Sequence, residues 1–260
     1  MKRSMAALLA AALPALGPGA ARAADHANLD EGLPLQLRDA YPITRGSIEA
    51  QGLFRYDRGR SGDGRDAYRL EPRIEWGAFR NGQVTFRVPY TAGNSEARSG
   101  RGFAGAGLLY NFNQERIFLP AFALEGEVAQ RFGGRGGTGT ETTLWGIATK
   151  TIGGYRVRRI SLNLGWIHRF DADPDERRNQ YVFVAGYHQA IGPDTTLVLD
   201  YVRRQQERGE RDANILEAGL RYQLDPRTVL SAGVGAGIGR DSPAVRVVFG
   251  IQHNLSWPPN

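Results

Sequence analysis

The stretch that decides the fold is Tyr68-Arg69-Leu70-Glu71-Pro72-Arg73-Ile74-Glu75-Trp76, followed after Asn81-Gly82 by Gln83-Val84-Thr85-Phe86-Arg87-Val88-Pro89-Tyr90. In both halves the even positions are mostly apolar and the odd ones charged or polar. Period two is the signature of a β-strand with one apolar and one polar face. Asn-Gly between two such runs is a strong hairpin signal, because both residues tolerate positive φ. Working outward, the same alternation runs through Ile48 to Tyr56, Ala104 to Tyr110, Phe122 to Phe132 and Thr143-Trp145-Ile147. It continues through Ile160 to Trp166, Tyr181 to Tyr187, Leu197 to Tyr201, Leu216 to Tyr222, Leu230 to Ile238 and Val245 to Ile251. That is about twelve strands, with no window of helical period and no run of 18 apolar residues.

A soluble β-sandwich alternates in the same way, so the connections must discriminate. Here 57–66, 93–101, 133–141, 171–180 and 203–212 are long, charged and glycine-rich, whereas 79–82, 113–118, 152–157, 191–194 and 224–227 are short. Long loops at one end, tight turns at the other and an even strand number are the pattern of a transmembrane antiparallel β-barrel. About ten residues per strand at roughly 3.3 Å, tilted by about 40°, cover an apolar band of about 25 Å. Aromatics on the apolar face near strand ends (Tyr56, Trp76, Tyr90, Trp145, Phe170, Tyr181, Tyr201, Tyr222) suit the bilayer interface.

The beginning of the chain reads differently. Lys2 and Arg3, the apolar run Met5 to Leu13, the breakers Pro14 and Gly17, and Ala21-Arg22-Ala23 describe a secretory signal peptide over 1–24. Residues 25–46 have no period and several turn formers, and are expected to be an extended periplasmic leader, a candidate for narrowing the lumen of a barrel over 47–256. Export, together with a charge that falls from +6 to +3 once Lys2, Arg3 and Arg22 are removed, argues against a nucleic-acid partner.

If the apolar faces meet lipid, the alternate positions line the lumen. The pore-lining candidates are Arg55, Arg69, Glu71, Arg73, Glu75, Arg87, Glu125, Glu127, Arg131, Asp200, Glu217, Arg221 and Arg246, accompanied by Glu49, Asn163, Arg169, His188 and Gln252. Charges of both signs inside a narrow barrel must pair across strands. Two readings follow: a salt-bridged interior that stiffens the wall, or a pore lining that selects solutes by charge and hydrogen bonding. Twelve strands fall between filled eight-stranded barrels and open porins, so size does not choose.

Catalytic and cofactor chemistry is poorly supplied. With no cysteine there is no disulfide, thiolate zinc site or cysteine nucleophile, and the four histidines (His26, His168, His188, His253) have no metal-site spacing. No cofactor or metal is expected. A lipid hydrolase using His168 or His188 with a serine lacks a nucleophile motif, with His168 in the lipid-facing register, and Glu125 with Glu127 resembles a glycosidase pair only in spacing. The run Gly133 to Gly137 is expected as an outer loop. Gly233, Gly235, Gly237 and Gly239 on the lumen face are expected to make room for bulky neighbours or let the wall bend. The loop arginines Arg58, Arg60, Arg65, Arg98, Arg101, Arg135, Arg177, Arg178, Arg208 and Arg211 are expected to face outward, as partners for lipopolysaccharide phosphates or as solvated charge.

Several segments resemble a known family. Asn28-Leu29-Asp30-Glu31-Gly32-Leu33-Pro34, Asp39-Ala40-Tyr41-Pro42-Ile43, Leu70-Glu71-Pro72, Val88-Pro89-Tyr90, Leu109-Tyr110-Asn111-Phe112-Asn113 and Asp225 to Gly233 are similar to the outer-membrane transporters named for the meta-pathway of phenol degradation. The resemblance implies an outer-membrane barrel of a Gram-negative bacterium, inserted by the barrel-assembly machinery. Its cargo would be small, often aromatic or hydrophobic, solutes, and it defines no catalytic residues. One departure is at the end of the chain: such barrels end on an aromatic residue, whereas here Ser256-Trp257-Pro258-Pro259-Asn260 follows the last strand, with Trp257 in that role. The reading is a passive channel rather than an enzyme, with a structural or assembly barrel as the alternative.

Overall fold

The computed structural model describes residues 24–60, 66–93, 100–133, 139–153 and 157–256; the expected signal peptide, most of the Gly133 to Gly137 run, Arg65, Arg98, Arg135 and Trp257 lie outside them. Thirteen strand segments form one antiparallel sheet: β1 (Ile48–Arg58), β2 (Ala67–Phe79), β3 (Gly82–Arg87), β4 (Tyr90–Gly93), β5 (Arg101–Asn111), β6 (Ala121–Gly133), β7 (Thr140–Thr151), β8 (Arg158–Arg169), β9 (Asn179–Ala190), β10 (Thr195–Arg204), β11 (Ala213–Asp225), β12 (Thr228–Ile238) and β13 (Val245–Asn254). Both β3 and β4 pair with β2 on one side and β5 on the other, so they are two halves of one stave interrupted at Val88-Pro89. Proline has no N–H to give the ladder, which accounts for the break. Twelve staves result, and β1 pairs with β13 as well as β2, closing the barrel.

Closure leaves no strand edge unpaired, as lipid requires. The outer wall is a belt of exposed Leu70, Phe86, Leu124, Leu164, Leu216 and Phe249, and at one rim Trp166 stacks on His168, which meets Phe170 edge-on. Strands of 10 to 13 residues span about 28 Å when tilted. This is a membrane-spanning barrel of the outer-membrane type, with short turns at the periplasmic end and long loops outside. The Asn81-Gly82 turn is present, with Asn81 at φ 64°.

One strand differs from its expected orientation. On β7, Thr143, Trp145 and Ile147 face the lumen, and Leu144, Gly146 and Ala148 face lipid. Both faces of that segment are apolar, so periodicity does not choose between them. Register does: Thr143 pairs with Glu127, Trp145 with Glu125 and Ile147 with Ala123, and directly paired residues share a face. Glu125 and Glu127 cannot face lipid, so Trp145 is an interior residue and not part of an interfacial belt.

Candidate functional site

The interior is occupied by the chain's own leader. Residue 24 starts at the periplasmic rim, where the Ala24 N–H donates to the Pro226 carbonyl at 3.0 Å. After a turn at Gly32–Leu35 the chain follows the inner wall from β13 round to β2. Leu33 packs on Leu53 and Val248. The Gln36 and Leu37 N–H groups donate to the Asp200 carboxylate of β10 at 2.9 and 3.0 Å. Asn163 of β8 both accepts from the Arg38 N–H and donates to the Arg38 carbonyl. Thr149 of β7 accepts from the Ala40 N–H, Asn111 of β5 donates to the Ala40 carbonyl, and Gln83 of β3 accepts from the Ile43 N–H. At the rim Gly46 donates to the Gly77 carbonyl at 2.7 Å. Buried backbone groups need partners, and here carboxylate, amide and hydroxyl side chains stand in for a neighbouring strand.

Glycines mark the path. A Cβ at Gly250 would lie 2.2 Å from Leu33, at Gly219 2.5 Å from Pro34, at Gly186 2.7 Å from Leu37 and at Gly233 2.8 Å from Leu35. The expectation that the β12 glycines make room is met at Gly233 by the leader itself. Gly235 is instead against Glu217, Gly237 against Ser242 and Pro243, and Gly239 lies past the strand end at φ 92°.

All thirteen pore-lining candidates point inward, and the structure divides them between leader and wall. Glu31 of the leader pairs with Arg38 and with Arg87 (3.1 Å), and Arg38 also pairs with Glu125. Arg87 donates to Glu127 at 2.8 Å, while Glu71 takes Arg69 and Arg73, each at 2.6 Å. Arg73 reaches the Glu31 carbonyl at 3.0 Å and Glu75 at 3.5 Å. Arg221, fully buried, donates to the carbonyls of His26, Leu33 and Asp25 and to Gln252. Asp200 holds the leader as described. The other eight pair only with the wall: Arg69, Glu71, Glu75 and Glu127 as above, Arg246 with Asp57 (2.6 Å) and Glu217 (3.3 Å), Arg55 with Asp57 (3.2 Å) and Arg131 with Glu176 (3.4 Å). Glu49 accepts from Gln252.

The half of the lumen formed by β7 to β11 adds an apolar surface between these polar contacts. Leu29, Leu35, Leu37 and Ala40 pack against Trp145, Ile147, Val184, Val198 and Ile215, and the Arg38 guanidinium lies 4.3 Å from the centre of the Trp145 ring. Burying four leucines (Leu29, Leu33, Leu35, Leu37) contributes on the order of 6 to 12 kcal/mol to leader seating before its ordering entropy is subtracted. At the rim, the Tyr41 hydroxyl donates to Glu115; burial, then that carboxylate, pushes its pKa up to about 12. Glu115 itself is drawn below the usual range, burial being outweighed by hydrogen bonds from Thr151 and Lys150.

What space remains is unevenly shared. Between leader and wall, around Asp30 and Glu125, there is about 20 Å³, room for about one water. Above the leader, toward the long loops, a vestibule of about 470 Å³ opens with Gln36 at its floor. Arg101, expected to face outward, lines this vestibule and pairs with Glu176 and Glu207, because its side chain lies in the inward register at the start of β5. Arg177 is turned onto the carbonyls of Gln206, Arg208 and Glu210, and Arg58, Arg178, Arg208 and Arg211 are exposed. His188 is buried 3.7 Å from Asp39, and His168 faces outward between Trp166 and Phe170. Sequence reasoning missed the leader's own Glu31, Arg38 and Asp39. The available signal was the two-sided apolar run Tyr181-Val182-Phe183-Val184, whose inward valines need an apolar partner inside the barrel.

No protein-family profile matches the chain, and no curated protein matches it in sequence. Among solved structures it is similar to a COG4313 outer membrane channel from Pseudomonas putida F1 (TM-score 0.60, 12% identity, covering 88% of this chain and 100% of that one). It is also similar to the KdgM porin in complex with disordered oligogalacturonate (TM-score 0.50, 15% identity, 81% and 99%). At these identities the likeness is one of fold.

Proposed function

We propose that the protein is a passive outer-membrane channel for small organic solutes, closed by its own leader and opened when the leader leaves the wall. The observation that carries this reading is the way the leader is held. It is bound by side chains of nine staves and is not a strand of the sheet, so it can detach while the barrel stays closed. The fold shared with an outer membrane channel supports it, as does the resemblance to the family named for the meta-pathway of phenol degradation. The apolar surface inside the lumen favours aromatic or hydrophobic cargo. Exposed Arg58, Arg178 and Arg211 at the long-loop end suit lipopolysaccharide phosphates.

Planar-bilayer recording tests the reading. Brief openings are expected from the full chain, and Arg73→Ala and Glu127→Ala are each expected to move the reversal potential in a salt gradient, in opposite directions. A filled lumen also favours the alternative of a closed structural barrel. A chain that inserts, shows a heat-dependent gel shift and never conducts would establish that alternative.

A further inference from the structure

The vestibule above the leader is lined very unequally in charge. Six of its arginines come from six different strands: Arg55 of β1, Arg69 of β2, Arg101 of β5, Arg169 of β8, Arg204 of β10 and Arg246 of β13. Three more come from the loops, and five carboxylates share the same lining. Several of these arginines are satisfied: Arg246 by Asp57 and Glu217, Arg169 by Glu141 and Glu207, Arg101 by Glu176 and Glu207. Arg55 must share Asp57 with Arg246. Arg204 is different. It faces inward from the last position of β10, and its guanidinium makes no hydrogen bond or ion pair with any described residue. An inward guanidinium without a partner carries a desolvation cost that a bound anion would return.

The same vestibule has an apolar layer beneath its arginines: Phe103, Ile167 and Val202 lie two residues deeper on the strands that carry Arg101, Arg169 and Arg204, with Val182 and Ile215 beside them. The volume, about 470 Å³, is in the range of small-molecule sites. Low-dielectric walls with an excess of one charge concentrate counter-ions of the other sign. Guanidinium presents a planar fork that matches a carboxylate.

We infer that the vestibule is a binding site for a small organic carboxylate with an apolar body, its carboxylate on Arg204 and its body against Val202 and Ile215. The site deepens the channel reading by naming the chemical class that waits above the leader, yet binding there does not require conduction.

The test is equilibrium dialysis of the full chain in detergent with radiolabelled benzoate. Competitors are benzamide (no charge), acetate (no apolar body) and inorganic phosphate (charge without either feature). Saturable benzoate binding is expected, with each competitor weaker by about tenfold or more, and Arg204→Gln is expected to weaken benzoate by about tenfold. Ile215→Thr is expected to weaken benzoate while leaving acetate unchanged. Equal affinity for benzoate and benzamide, or phosphate binding as tightly as benzoate, would overturn the inference; unchanged benzoate affinity in R204Q would overturn the assignment of Arg204. If R204Q loses the heat-dependent gel shift of the folded barrel, the four-ligand comparison on the unaltered chain decides. Absent benzoate binding with intact single-channel openings removes this inference alone, and binding without openings removes the channel reading alone.

Discussion

Removing the carboxylate of Asp200 should loosen the leader. Asp200 accepts two leader N–H groups, from Gln36 at 2.9 Å and Leu37 at 3.0 Å, where the leader passes along β10. Leaving a buried N–H without its acceptor costs about 1 to 3 kcal/mol, so losing both costs about 2 to 6 kcal/mol. Part is returned because the buried carboxylate no longer has to be desolvated, which places Asp200→Ala near the lower end. A loss of about 3 kcal/mol raises the detached population about 100-fold. The chain has no cysteine, so Ala40→Cys, at a fully buried leader position, introduces one thiol whose modification by a maleimide reports detachment. In proteoliposomes, A40C/D200A should label about 100 times faster than A40C, with A40C/D200N between them because asparagine keeps one acceptor oxygen. Rates within twofold of each other, in barrels that retain the heat-dependent gel shift, would refute the claim that Asp200 holds the leader.

Gly233→Val places a branched side chain where a Cβ already lies 2.8 Å from Leu35 and 3.3 Å from Pro34. It should speed A40C labelling while leaving the barrel folded, as read by the gel shift. Leu124→Arg puts a cation on the lipid-facing belt of β6 and should cost about 2 to 4 kcal/mol in urea unfolding from vesicles, less if that position lies near an interface.

The barrel was legible in the sequence because lipid and lumen impose opposite demands on alternate residues. Tyr68 to Trp76 shows this in nine residues, and the thirteen inward charges followed from the same alternation. The rule weakened where both faces are apolar. Thr143-Trp145-Ile147 was expected to face lipid and faces the lumen, because only its pairing with Glu125 and Glu127 distinguishes the faces. The leader's position was not legible from periodicity, since its partners are single side chains spread from Gln51 to Val248. Its traces were indirect: glycines on the lumen face of β12, and inward-facing valines on β9 that call for an apolar partner inside the barrel. The pairing of Glu31 with Arg38 and Arg87 belongs to the lumen's three-dimensional arrangement.

The central claim, that solutes pass only when the leader moves, is tested most directly by locking it in place. The Cβ of Pro34 lies 3.3 Å from where a Cβ at Gly233 would be, close to the roughly 3.5 to 4.5 Å of a disulfide. In a planar bilayer, P34C/G233C with the disulfide formed should show no openings, and reductant should restore them reversibly. Openings that persist while the cross-link is intact would contradict the account, because the path would then not run where the leader lies.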